Sequence, residues 1–141
     1  MIVAVDFDGV LCEDRFPEIG EPLAPAVNFV RDLIAKGHEV VLWTSRSGRR
    51  LEEAVEWCAD RGITFCAVND NAPSNKAAYS AEYPDPPRKV YADLYLEDHC
   101  PFFLNLAEGS RRNAVSRMVA YAEQYVNRYE GIWDIKEEND G

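Results

Sequence analysis

At 141 residues the chain is one domain long, and its 47% hydrophobic, 28% charged composition is that of an ordinary globular protein able to bury a core without staples. Twenty-five acids against fifteen bases leave a net charge of −10, which excludes broad tracking of nucleic acid or anionic lipid, since both need basic surface. No run nears the ~20 apolar residues of a membrane span, the start Met1-Ile2-Val3-Ala4-Val5-Asp6 lacks the basic region of a secretory signal, and Cys12, Cys58, Cys66 and Cys100 form no CxxC pair, so a cytoplasmic protein with free thiols is expected.

In chain order, residues 2–7 are a short β-rich run ending in Asp-Gly. Residues 25–36 carry Ala26, Val27, Phe29, Val30, Leu33 and Ile34 at helical spacing, closed by Gly37. A second β-branched run at 39–43 leads into Thr44-Ser45-Arg46. Residues 48–61 place Leu51, Ala54, Val55 and Cys58 on one face, closed by Gly62, and a third apolar run follows at 63–68. Prolines and an Asn-Asp-Asn run make 69–90 a loop, with a short helix at 75–81. A fourth strand at 90–96 ends in Glu97-Asp98. Residues 111–129 form an amphipathic helix, and an acidic tail over 131–141 follows the single domain of residues 1–130, with Ile132 and Trp133 pinning its start. Strands alternating with helices predict an α/β fold. It is a Rossmann-like three-layer αβα sandwich around a parallel sheet of four or five strands, in an order of about 3-2-1-4.

Ligands on such sheets bind beyond the carboxyl ends of the strands, and the polar residues gather there. Asp6, Asp8 and Gly9 follow the first strand, Thr44, Ser45 and Arg46 the second, and Glu97 and Asp98 the fourth. A carboxylate at the end of a buried strand is costly unless paired or metal-bound. Several converging on one spot repel each other unless a cation sits among them. Oxygen-only ligands suit a hard ion, Mg²⁺ ahead of Ca²⁺ or Zn²⁺. Thr44 could instead be a turn or cap residue, with Ser45 and Ser47 as rival caps. His38 reads as a surface loop residue, His99 as a neighbour of the acidic pair rather than a ligand, and Cys58 and Cys66 as core packing. Trp43 and Trp57 read as core or substrate-side packing. Acidic surroundings should keep Cys12 unreactive.

The ordered set Asp6-Phe7-Asp8-Gly9-Val10, a strand ending in Thr44-Ser45-Arg46, a lysine, and a strand ending in two acids resembles the haloacid dehalogenase superfamily of phosphatases over residues 2–98. The resemblance implies that Asp6 attacks phosphorus to form an aspartyl phosphate and that Asp8 is the general acid and base. It implies Mg²⁺ held by Asp6, the Asp8 backbone carbonyl, Asp98 and, secondarily, Glu97. Thr44 and a lysine would stabilise the phosphoryl oxygens, Lys89 ahead of Lys76. Ser45, Arg46 and Gly9 are candidate substrate contacts, with Arg46 able to clamp a second phosphate or an acid group.

Relatives acting on small metabolites often insert a cap domain after the first or third strand. Here residues 9–24 suffice for a hairpin flap and residues 69–88 for a loop, so a small capless member with an open pocket is expected, with a second copy of the chain in a homo-oligomer as a candidate roof. Glu13, Asp14, Glu18 and Glu21 near the mouth disfavour polyanionic polymers. The expected substrate is a small phosphomonoester, pyrophosphate or phosphosugar, with no nucleic-acid or membrane partner. Two other readings stand beside this one: a non-catalytic phosphate- or metal-binding module of the same fold, and a phospho-acceptor receiver domain using Asp70.

Overall fold

The computed structural model describes residues 1–79, 85, 87–106 and 109–139, with side chains described except at 104–106 and 131–139. Strand β1 (Ile2–Val5) is buried at every position, and a continuous apolar run needs cover on both faces. It lies between β4 (Glu39–Leu42) and β6 (Leu94–Leu96), parallel to each, with Val3 opposite Val40 and Leu94. β5 (Ala67–Val68) extends the sheet beyond β4. The order β5-β4-β1-β6 is the expected 3-2-1-4 once the separate hairpin of β2 (Cys12–Arg15) and β3 (Glu18–Pro22) is set aside.

Side chains alternate across the sheet. Val3, Val5, Val40 and Leu42 join one core with α1 (Ala24–Ala35), α2 (Gly48–Asp60) and α5 (Arg111–Asn139). Ile2, Ala4 and Val41 join a smaller core with Ala72, Val90 and Ala92, beside α3 (Pro73–Tyr79). The three-layer α/β sandwich expected from the sequence is therefore the observed fold, with one helical layer much thicker than the other.

The strand limits differ from expectation for local reasons. Gly62, at φ +78°, ends α2, and the Ile63 N–H donates to the Cys58 carbonyl (2.9 Å). Buried Ile63 thus closes a helix C-terminus, and pairing starts only at Ala67. Likewise Val90 and Ala92 are buried but unpaired as strand, because Tyr95 Oη donates to the Val90 carbonyl (2.6 Å) and accepts the Ala92 N–H (3.1 Å). The residues expected as an acidic tail continue α5 through Asn139; the side chains of Ile132 and Trp133 lie outside those described.

His38, expected on the surface, is mostly buried. It bridges the Met1 nitrogen (3.0 Å) and Glu130 Oε1 (2.9 Å), tying α5 to the start of the sheet. Of the two cysteines expected in the core, Cys58 is buried and Cys66 is exposed. No helix among the described residues is long and apolar enough to cross a membrane.

After Pro101 the sequence pattern gives no clear element, and the structure forms α4 (Pro101–Leu106) there, packed on α5. Phe103 is fully buried and Phe102 is 50% exposed. Phe103→Ala should therefore cost about 3–5 kcal/mol in urea unfolding, and Phe102→Ala less than about 1 kcal/mol.

Candidate active site

The carboxyl ends of β1 and β6 carry the acids. The Asp6 N–H continues the ladder by donating to the Leu96 carbonyl (2.9 Å), which sets Asp6 beside Glu97 and Asp98. Ligand atoms of Asp6, Glu97, Asp98 and His99 lie within 4.8 Å of one another. Asp98 is 1% exposed. Its Oδ2 accepts a hydrogen bond from Arg111 Nη1 (3.1 Å). Its Oδ1 is buried with no hydrogen-bond partner, although His99 Nδ1 lies 3.0 Å away outside bonding geometry.

Crowding shows in the protonation of Asp6. Burial, and then the neighbouring Asp98 and Glu97, push its carboxyl up to about 8 against the lowering effect of the Phe7 N–H, which donates to Asp6 Oδ1 (2.8 Å). An orphaned buried carboxylate oxygen and a carboxyl forced toward its neutral form both signal missing positive charge. The donor set of Asp6, Asp98 and Glu97 fits a hard divalent cation.

Gly9 makes this packing possible. It sits at φ +84°, and a Cβ there would collide with Asp98 Oδ2. Expected as a substrate contact, Gly9 does not line the cavity over Asp6; it leaves room for the carboxylate behind it.

Arg46 also departs from expectation. Its side chain is 1% exposed. Nε and Nη2 hold the two Asp8 oxygens at 2.8 Å each, Nη1 donates to the Pro17 carbonyl (3.2 Å) and Nη2 to the Glu18 carbonyl (3.0 Å). The guanidinium carbon lies 5.0 Å from the Phe7 ring centre and 5.2 Å from that of Phe16. A guanidinium this fully engaged is not a clamp for a second phosphate. It joins Asp8 to the tip of the β2–β3 hairpin.

Thr44 Oγ1 accepts the Arg46 N–H (3.1 Å), and the Thr44 N–H donates to Asn69 Oδ1 (2.8 Å). Asn69 sits at φ +50°. Ser47 stands at the N-cap of α2 without a side-chain cap bond, so Thr44 shapes the β4 turn and is not that helix's cap.

A cavity of about 550 Å³ opens over these groups. Its floor and walls bring together Asp6, Asp8, Thr44, Ser45, Arg46 and Glu97, as the sequence predicts. Trp43 and His99 border it too. Asp14 and Phe16 close one side from the hairpin, so the hairpin walls a pocket expected to be open. Neither lysine lines it. Lys76 is ion-paired with Asp70. Lys89 lies 5.5 Å from the Tyr95 ring centre and has no ion pair among the described residues. Cys12 is fully buried at the start of β2; burial first, and Asp8 second, push its thiol up to about 12.

Sequence reasoning missed Phe16, Asn69 and Arg111. An aromatic at a hairpin tip, a polar residue able to adopt positive φ after a strand, and a basic residue opening a helix carry weak local signals. Each gains meaning only through partners distant in sequence.

Two outcomes follow. Gly9→Ala should displace Asp98 and destabilise the protein by about 2 kcal/mol or more in urea unfolding. Asp6, raised from the ordinary carboxylate value, holds its proton longer folded than unfolded, so the stability it confers without metal is lost as pH rises from about 4 through about 8. Urea unfolding in a chelator should show that decline. Saturating Mg²⁺ should flatten it, and Asp6→Asn should remove Asp6's share.

No protein-family model matches the chain, and no curated protein matches it. A solved structure of a conserved protein from Bacteroides thetaiotaomicron is similar to it, with a TM-score of 0.62 and 39% sequence identity over 72% of this chain and 78% of the other. At that identity and coverage the similarity extends beyond the fold, and the chain belongs to the same family as this conserved Bacteroides thetaiotaomicron protein.

Proposed function

We propose that the chain is a Mg²⁺-dependent phosphohydrolase of the haloacid dehalogenase type, acting on a small phosphoester through an aspartyl phosphate. The observation that carries this reading is the orphaned Oδ1 of buried Asp98 beside Asp6, which shares one cavity with Thr44. Asp6, Asp98 and Glu97 would hold the cation, together with the Asp8 backbone carbonyl. When bound, it supplies Lewis-acid charge that keeps Asp6 ionised and offsets the phosphoryl oxygens.

Asp6 attacks phosphorus through a carboxylate oxygen, and the bond to the ester oxygen breaks. Thr44 accepts the Arg46 N–H at Oγ1 and keeps its own proton to donate to a phosphoryl oxygen. Asp8 then takes a proton from the water that attacks the phosphoaspartate, releasing phosphate and regenerating Asp6. Arg46 holds both Asp8 oxygens in place for that base step. To protonate a leaving oxygen, Asp8 must first turn one oxygen away from Arg46. Esters of acidic leaving groups, which need no such proton, are therefore the favoured first substrates. Lys89 is the better candidate to reach the phosphoryl group, because Lys76 is engaged by Asp70.

Hydrolysis of p-nitrophenyl phosphate should require Mg²⁺ and fall by about 10³-fold or more in Asp6→Asn. Lys89→Ala should reduce kcat/KM more than Lys76→Ala. Metal-dependent turnover that survives in Asp6→Asn would overturn the covalent route.

The Asp8–Arg46 pair also favours a second reading, a binding module in which Asp8 is structural. Mg²⁺-dependent binding of beryllofluoride without turnover of any phosphoester would establish it. The receiver reading loses ground, because Asp70 is drawn into a surface ion pair with Lys76.

A further inference from the structure

A second cavity, of about 710 Å³, lies behind the hairpin. Its wall carries Arg15 from β2 and Arg111 and Arg112 from the start of α5, with Glu13 and Asp14 between them. Phe16 borders the Asp6 cavity alone, Glu13 and Arg15 border this one alone, and Asp14 borders both. Of the acids expected at the mouth, Asp14 borders both cavities and Glu13 borders this one.

Three arginines against two acids leave this lining slightly positive in a chain whose net charge is −10. The arginines already grip carboxylates. Arg112 Nη2 donates to Glu13 Oε1 (2.7 Å), Arg15 Nη2 to Glu13 Oε2 (3.3 Å) and Arg111 Nη1 to Asp98 Oδ2 (3.1 Å). Arg112 and Arg15 together hold the Glu13 carboxyl below its ordinary range. Each guanidinium has five N–H donors, and these contacts use one nitrogen of each. The remaining donors suit a planar carboxylate or a phosphate.

The cavities are neighbours. Asp14 borders both, and Arg111 is separated from the acidic cluster by the Asp98 carboxylate alone. A cation on Asp98 would compete with Arg111 for that carboxylate and free more of the guanidinium.

We propose that the second cavity binds another anionic group, carboxylate or phosphate, of the same molecule whose phosphoryl group sits over Asp6. This rests on the phosphohydrolase reading and narrows it: the substrate is a small phosphoester with an anion at each end. Arg15 and Arg112, which border the second cavity and not the first, set the preference.

Binding tests this without turnover. Calorimetry on the full chain with Mg²⁺ compares alkylphosphonates with ω-carboxyalkylphosphonates and α,ω-bisphosphonates of two to five carbons, whose C–P bonds resist hydrolysis. At one chain length, a doubly anionic ligand should bind about tenfold or more tightly than the alkylphosphonate. The carboxylate and bisphosphonate arms identify the preferred anion. That advantage should fall to near unity in Arg15→Gln and Arg112→Gln, whose side chains are exposed and whose folding circular dichroism can verify. Equal binding of all ligands, or an advantage surviving in both variants, overturns the proposal. Failure to hydrolyse any phosphoester would count against the phosphohydrolase reading alone, since the calorimetry decides the cavity on its own.

Discussion

The arrangement depends on burying the carboxylate of Asp98 at the end of a parallel sheet. An uncompensated buried charge is among the most costly features a small domain can carry. The surrounding chain accommodates it in several ways. Gly9 takes a left-handed conformation and has no Cβ to strike the carboxylate. Arg111 approaches one oxygen from α5. The other oxygen is left unbonded, and Asp6 is drawn toward its protonated form nearby. The core built on Val3, Val5, Leu42 and Leu96 holds these groups in place.

Much of this was legible in the sequence, because the governing signals are local. The four apolar runs, the glycines ending α1 and α2, and the acids following two strands give the sheet, its order and the position of the site. The roles within the site are less local. Arg46 reads as a clamp from its place after Thr44-Ser45, yet five acceptors and two rings surround it, on segments up to 39 residues away in sequence. Gly9 reads as part of a substrate loop, yet its role is set by a residue on another strand. The strand limits at Ile63 and Val90 were misjudged because apolar character reports burial, whereas strand pairing also needs free backbone partners.

The β2–β3 hairpin shows how a short chain makes two environments from few residues. A cap domain would add its own core. Here one hairpin borders two cavities, and Arg46 fixes its tip to Asp8. Hairpin position and the orientation of the Asp8 carboxylate are therefore coupled.

α5 begins with Arg111 on Asp98 and reaches Glu130 on His38, beside the first residue of the sheet. Nineteen residues of helix separate these contacts, about 28 Å of rise. The helix thus works as a tie rod along the sheet, with one polar fastening at each end. Tension or slack introduced at His38 would pass along a stiff element to the carboxylate that organises the site.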